Sequence, residues 1–261
     1  MPRERHHNIQ SVQRAAAILK AFGYGSPQLG VSEVGRKLKL HKSTASRLLA
    51  TLESEGLVER VPQSDKYRLG YEFVRLAGQV THFSDVRAIA KPLLAELAEA
   101  TRETINLAVL DGEEVVNIEQ VSSPHIVGIA NWVGRRTPLH CVANGKALLA
   151  FLPRAQVEHI LSSPLSRFTK HTITSKAALR AELARIRERG YATAMSEIEE
   201  GLHAVAAPIF DARGEVVASV SISGPSYRVT PERMEQLSKQ MVRTAEKITA
   251  RLSPLVGVSF A

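Results

Sequence analysis

The stretch from Val31 to Leu69, VSEVGRKLKLHKSTASRLLATLESEGLVERVPQSDKYRL, constrains the fold of this chain more than any other part. Val34 and Leu38 stand four apart, as on the apolar face of a short helix. Lys39 to Lys42 suit a tight turn, and Ser43 suits the cap of a second helix. In that helix Ala45, Leu48, Leu49 and Leu52 form the apolar stripe, leaving Thr44, Ser46 and Arg47 on the other face. Gly56 ends it as a C′ glycine. Leu57 to Val61 and Lys66 to Leu69, separated by Pro62-Gln63-Ser64-Asp65, predict a two-stranded hairpin with a basic far arm. Helix, turn, helix and basic hairpin together make a winged helix-turn-helix. The alternative is a plain helical hairpin, which has no need for hydroxyls and an arginine on the exposed face of its second helix.

Charge is concentrated where that reading needs it. Residues 1–83 hold 13 Lys and Arg against 7 Asp and Glu, a net of +6, whereas residues 84–261 hold 21 against 19, a net of +2. Neutralising phosphates with Lys and Arg is the main source of affinity for duplex DNA. A basic face coinciding with a helix-turn-helix and wing therefore points to double-stranded DNA as a partner. The residues expected to face it are Lys42, Ser43, Thr44, Ser46 and Arg47 on the second helix. From the wing come Arg60, Lys66, Tyr67 and Arg68.

Other features bound the remaining possibilities. A chain of 261 residues suggests two domains, each with its own core. Cys141 is the single cysteine, which excludes a disulfide framework and a cysteine-based metal site. No run of about eighteen apolar residues is present, so no membrane span is expected. The charged start, MPRERHHNIQ, lacks the apolar core of a secretory signal, and a cytoplasmic location is expected.

Residues 1–7 are polar and expected to be disordered. Ile9, Val12, Ala15, Ala16, Leu19 and Phe22 recur at helical spacing and predict a first helix over about 8–22, followed by a loop from Gly23 to Gly30. Tyr71, Phe73, Val74, Leu76, Ala77 and Val80 predict a connecting helix to about His82, whose apolar residues suggest a partner chain. Beyond it a helix is expected from Val86 to Glu99, tolerating Pro92 only by a kink or a break. Strands are expected at Glu103–Leu110 and Glu114–Val121, joined by Asp111-Gly112, and at Ile126–Trp132. Helices at Asn144–Leu152, Arg154–Leu161 and Lys176–Arg189 follow, then strands at Tyr191–Met195, His203–Phe210 and Glu215–Ser223, then a closing helix from Pro231 to about Arg251. The order predicts an α+β, sensor-like second domain. The expected domains are residues 1–70 for DNA binding, 71–84 for the linker helix and 85–261 for effector binding and oligomerisation.

Enzyme signatures are missing. Asn144-Gly145-Lys146-Ala147 lacks the Ser or Thr after Lys that a phosphate loop needs, and His140 stands where its first glycine would. There is no His-Glu-x-x-His, no Gly-x-Ser-x-Gly and no paired carboxylates, so neither a catalytic set, a metal site nor a cofactor is expected. Small polar residues instead gather near glycines. Pro138 to Lys146, containing Leu139, Cys141, Ala143, Asn144 and Gly145, leads into a helix whose free N–H groups favour a carboxylate. Ordinary capping by Asn144 would explain the same segment. Ser219, Ser221 and Ser223 share one face of a strand, turned either to solvent or to a polar pocket. Cys141 reads most simply as a small buried hydrophobe, and Trp132 as core or as a pocket wall.

Several segments, in order, resemble the IclR family of transcriptional regulators over about residues 8–252. They are Ser11-Val12-Gln13-Arg14-Ala15, the winged unit with Gly56-Leu57-Val58, Tyr67-Arg68-Leu69-Gly70, Pro138-Leu139-His140, Gly145-Lys146-Ala147-Leu148-Leu149-Ala150 and Gly190-Tyr191-Ala192. Ala206-Ala207-Pro208-Ile209-Phe210-Asp211 and Ser221-Ile222-Ser223-Gly224-Pro225 complete the series. The resemblance implies a winged-helix domain, a linker helix and a GAF-like effector domain, with dimers, often paired into tetramers, on a palindromic operator. It implies an effector pocket near Ala143, Asn144, Leu202, Ala204, Ser221 and Ser223, with Glu197 on the adjoining acidic segment. Family members that bind short oxo-acids and members that bind aromatic acids share this scaffold; the helix start, the serine hydroxyls and the apolar neighbours favour a small organic acid, aromatic or hydroxylated, and the resemblance implies that it releases repression.

Overall fold

A computed structural model describes residues 9–23, 26–77, 84–125 and 131–252. The chain forms two compact units, residues 1–81 and 82–261.

The first unit contains α1 (Gln10–Ala21), β1 (Leu29–Gly30), α2 (Val31–Leu38), α3 (Lys42–Ser54), β2 (Val58–Arg60), β3 (Lys66–Leu69) and α4 (Glu72–Ala77). Its core gathers Ile18 and Phe22 of the first helix, Val34 of α2, Ala45, Leu49 and Leu52 of α3, and Val58 and Tyr67 of the wing. Three of the four expected stripe residues of α3 are therefore buried, and Leu48 packs against the same core. Gly56 has φ +69, the left-handed turn that ends α3 and starts the wing. At Gly70 a Cβ would lie 2.1 Å from the carbonyl oxygen of Gly56, so only glycine lets the end of the wing close against its beginning.

Three expectations are corrected here. His41, not Ser43, occupies the N-cap of α3, and its ring accepts from the Ser43 backbone N–H at 3.4 Å. The helix begins one residue earlier than the serine suggested, because imidazole nitrogen replaces a hydroxyl as the cap acceptor. The wing has a third strand: Leu29 pairs with Tyr67 and Gly30 with Lys66, giving the order β1-β3-β2. Two residues are too few to show periodicity. Ile9 at the N-cap of α1 and Val12 within it are exposed, and the buried position of the helix is Ile18. The connecting helix is described as far as Ala77; its expected continuation to His82, like the expected disorder of residues 1–7, lies outside the described residues.

The second unit opens with α5 (Ser84–Thr101), which runs through Pro92 without a break. Burial of Ala90, Leu93, Leu94 and Leu97 against the sheet offsets the one backbone hydrogen bond that proline forfeits. The strands β4 (Thr104–Asp111), β5 (Glu114–Val121), β6 (Arg136–Pro138), β7 (Ala192–Met195), β8 (Leu202–Phe210) and β9 (Val216–Pro225) form one antiparallel sheet in the order β6-β5-β4-β9-β8-β7. The expected strand from Ile126 falls largely outside the described residues, and Trp132 belongs to no strand; β6 pairs with β5 in its place.

One sheet face packs against α5 and α9 (Pro231–Leu252) through Leu107, Val205, Val220 and Ile222. The opposite face packs against α6 (Ala143–Phe151), α7 (Arg154–Ser162) and α8 (Lys176–Arg189) through Ala108, Ala194 and Ala206. Strand alternation thus sends Val220 and Ile222 one way and Ser219, Ser221 and Ser223 the other. All three serines are buried, so their shared face is interior. On the α5/α9 side, Glu103 of the turn before β4 is fully buried and takes Arg228 on both carboxylate oxygens, each at 3.0 Å, and Arg233 at 3.0 Å.

Candidate DNA-reading surface and effector cavity

On the first unit, α3 presents Lys42, Ser43, Ser46 and Arg47 to solvent, with Thr44 half-buried. The wing adds exposed Arg60, Lys66 and Arg68. These cations are not bare. Arg60 pairs with Glu53 at 3.3 Å and sits over the Tyr67 ring at 5.2 Å, Lys66 lies 3.8 Å from Glu33, and Arg68 reaches Glu59 at 2.5 Å. Arg47 has no ion-pair partner among the described residues. Tyr67 is 3% exposed and forms part of the core, so it packs the wing rather than projecting from it; inward alternation on β3 places it there.

In the second unit a cavity of about 530 Å³, including its open mouth, lies between the serine face of the sheet, the start of α6 and the segment after β7. Trp132, Ala143, Asn144, Glu197, Leu202, Ala204, Ser221 and Ser223 line it. Leu139, Cys141 and Gly145 do not. Leu139 joins the core of α6 and α8. Cys141 is fully buried, its thiol donates to the Pro138 carbonyl at 3.4 Å, and burial pushes its pKa up to about 12. Gly145 acts indirectly: a Cβ there would lie 2.4 Å from the Leu139 carbonyl oxygen, so glycine lets α6 seat on the preceding turn. Val205, next to the lining residue Ala204 on β8, faces the opposite core.

The start of α6 carries no side-chain cap, and Val142, Ala143 and Asn144 at that terminus all line the cavity. Asn144 does not cap it. Its Nδ2 donates to Ser221 Oγ at 3.0 Å and to Asn117 Oδ1 at 3.4 Å, while Ser219 Oγ donates to the Asn144 carbonyl at 3.3 Å. Asn106 Nδ2 similarly donates to Ser223 Oγ at 3.1 Å. The first-turn N–H groups, which helix geometry leaves without intrahelical partners, and the positive end of the helix dipole therefore stand beside a row of hydroxyls and amides.

Sequence reasoning missed Asn106, Val115, Asn117, Thr137, Val142, Ala194 and Ile198 on the wall. Inward strand positions signal the first four only once sheet order is known. It also missed Lys146, whose Nζ donates to Glu197 Oε1 at 2.5 Å while only 1% of its side chain is exposed. A charged residue within an otherwise apolar helix, ANGKALLAF, was the available signal. Thr172 Oγ1 donates to the Glu197 carbonyl and Thr169 Oγ1 to the Ser196 carbonyl, both at 2.6 Å, fixing the backbone that carries the carboxylate. Among the described residues lining the cavity none is Lys, Arg or His. No described group of His, Cys, Asp and Glu could hold a metal ion, and no described helix is long and apolar enough to cross a membrane.

Residues 11–62 match the IclR helix-turn-helix domain, and residues 78–250 match the bacterial transcriptional regulator IclR C-terminal domain. The chain belongs to the IclR family. It is 35% identical to the HTH-type transcriptional regulator KdgR of Escherichia coli strain K12 over 94% of this chain and 93% of that protein. The transcriptional repressor IclR of the same organism is 32% identical over 92% of this chain and 89% of its own length. Among solved structures, an IclR homolog from Microbacterium hydrocarbonoxydans complexed with 4-hydroxybenzoate superimposes with a TM-score of 0.79 at 30% identity, covering 93% of this chain and 98% of that one. The protein is accordingly a DNA-binding transcriptional regulator with a winged helix-turn-helix and an α+β, GAF-like effector domain, and not an enzyme. The helix-turn-helix makes duplex DNA a partner of this chain.

Proposed function

We propose that this regulator is a cytoplasmic repressor of a catabolic operon, that it works as a homodimer on a palindromic operator, and that a small aromatic or hydroxylated organic acid releases it. The single observation that carries the effector reading is the uncapped start of α6 opening into a cavity beside Ser221 and Ser223. A carboxylate there meets backbone N–H donors, the helix dipole and two hydroxyls. Val115, Trp132, Leu202 and Ala204 supply apolar walls for a carbon skeleton. The solved homolog with 4-hydroxybenzoate supports an aromatic acid as one member of the class.

Operator contacts are assigned to α3, with Ser43, Thr44 and Arg47 at the base edges, and to Lys42, Ser46, Arg60, Lys66 and Arg68 at the backbone. The effector acts by binding two dimer arrangements unequally, and a coupling of about 1–3 kcal/mol changes DNA affinity roughly five- to 150-fold. The test is titration of the full-length protein and its Ser221→Ala/Ser223→Ala variant with organic acids, reading ligand affinity and operator release together. Weakened binding and release in the variant is the expected outcome. A variant that binds and responds like wild type would place the effector elsewhere, and a wild type unmoved by every acid would leave a constitutive DNA-binding protein.

A further inference from the structure

Four buried polar atoms on cavity-lining residues have no hydrogen-bond partner among the described residues: Asn106 Oδ1, Thr137 Oγ1, Asn144 Oδ1 and Glu197 Oε2. Native folds satisfy nearly all buried polar groups, so several orphans on one wall mark a place where a ligand completes the hydrogen bonding. Three of them have a choice of role. Asn106 and Asn144 spend their Nδ2 groups on serines, and either amide can turn over to present a donor instead. The Thr137 hydroxyl can donate or accept.

Glu197 has no such choice. A carboxylate in an ion pair only accepts, and Lys146 occupies Oε1 alone. Lys146 balances the charge, so the cavity as a whole does not repel an acid. The open oxygen nevertheless disfavours a second carboxylate at its end, and no cation lines the described wall to hold one. The backbone on either side of the carboxylate is pinned by Thr169 and Thr172, and Ser196 before it adopts φ +56. The acceptor is therefore held in place before any ligand arrives.

Building on the organic-acid reading above, we propose that the effector is a hydroxylated monocarboxylic acid whose hydroxyl donates to Glu197 Oε2 while its carboxylate sits at the start of α6. Glu197 is the specificity-determining residue. Lys146 is a positioning residue, touching Glu197 and aiming its second oxygen. A site built to accept from a hydroxyl discriminates strongly against the analogue that lacks it, because the buried acceptor is then left unpaired.

The experiment is calorimetric titration of the full chain with acids matched in skeleton: benzoate against 3- and 4-hydroxybenzoate, and pentanoate against 5-hydroxypentanoate. Wild type is expected to bind the preferred hydroxy acid at least tenfold more tightly than its parent. In Lys146→Met/Glu197→Met, which removes both charges at once, the hydroxy acid should lose its advantage and the ratio should fall to about one. A melting curve verifies that this variant folds. If it does not, the wild-type ratios still decide whether a donor is demanded. Parent and hydroxy acids binding equally to wild type would overturn this inference while leaving the organic-acid reading intact. A ratio unchanged in the folded double variant would remove Glu197 as the reader. No binding by any acid would overturn both readings.

Discussion

Lys146 Nζ and Glu197 Oε1 stand 2.5 Å apart, joining the first turn of α6 to the segment after β7 in a pair whose side chains are 1% and 10% exposed. Removing one partner of such a pair leaves a buried charge uncompensated, at a cost of about 3–5 kcal/mol, whereas replacing both with apolar residues of similar volume is close to neutral. Lys146→Met and Glu197→Met are each expected to lower the urea unfolding midpoint strongly, and the double variant to recover most of the loss. A double variant as unstable as the sum of the singles would show that the two side chains do not depend on each other.

The same pair shows where the sequence stopped being legible. Local signals located the recognition helix, the hairpin wing, the Asp111-Gly112 turn and the helix Lys176–Arg189, because each rests on periodicity or turn chemistry within about fifteen residues. The alternating Ser219, Ser221 and Ser223 announced a shared face but not which way it looked. That depends on β9 lying between β4 and β8, with α6 above it, which no local pattern encodes. Asn106 and Asn117 reach the cavity through strand neighbours far away in sequence, and Lys146 meets Glu197 across 51 positions. His41 as the cap of α3 was not legible because histidine is rarely the first choice there; its ring nitrogen takes the hydroxyl's place once the helix starts at Lys42.

Arg47 is exposed on α3 and, among the described residues, has no ion-pair partner, so its guanidinium is available for bidentate contact with a guanine. Arg47→Ala should weaken operator binding by about 1–3 kcal/mol per half-site and relax the preference at one base pair in each. Binding assays with single-base operator variants measure this. Equal losses on operator and random DNA would reassign Arg47 to a phosphate.

Lys66 and Arg68 project from the wing, yet each has an acidic neighbour, Glu33 and Glu59. DNA binding exchanges these exposed pairs for phosphates at small cost, since such pairs contribute little by themselves. Lys66→Ala/Arg68→Ala should weaken operator and random DNA alike and reduce the slope of log affinity against log salt by about 0.9 for each phosphate no longer neutralised. An unchanged slope would take the wing out of the interface.

Helix α4 exposes Val74 (71%) and Leu76 (41%), with Tyr71 (77%) just before it, an apolar surface on a six-residue helix. If it pairs with its counterpart in a homodimer, Leu76→Glu should lower dimer stability and operator affinity together. Sedimentation velocity and a binding isotherm on the same preparation test this. A variant that stays dimeric and binds normally would show that the protomers are joined elsewhere.

His140 is buried beside the ion pair, and loss of solvation is the largest influence holding its pKa below the usual 6.5. The hydrogen bond between its Nε2 and the Ser166 carbonyl at 2.9 Å, together with Glu197, pulls the other way, while Lys146 adds to the lowering. The unfolded chain takes up a proton near pH 6.5 that the folded chain refuses until lower pH. Stability is therefore complete above about pH 6.5 and declines as the pH falls through that value toward the folded pKa. His140→Phe gives up the hydrogen bond to Ser166 and should melt lower at neutral pH, but its melting temperature should fall less steeply than that of wild type between about pH 7.5 and 5.5. Parallel melting profiles for the two proteins would show that His140 takes up its proton equally readily in both states.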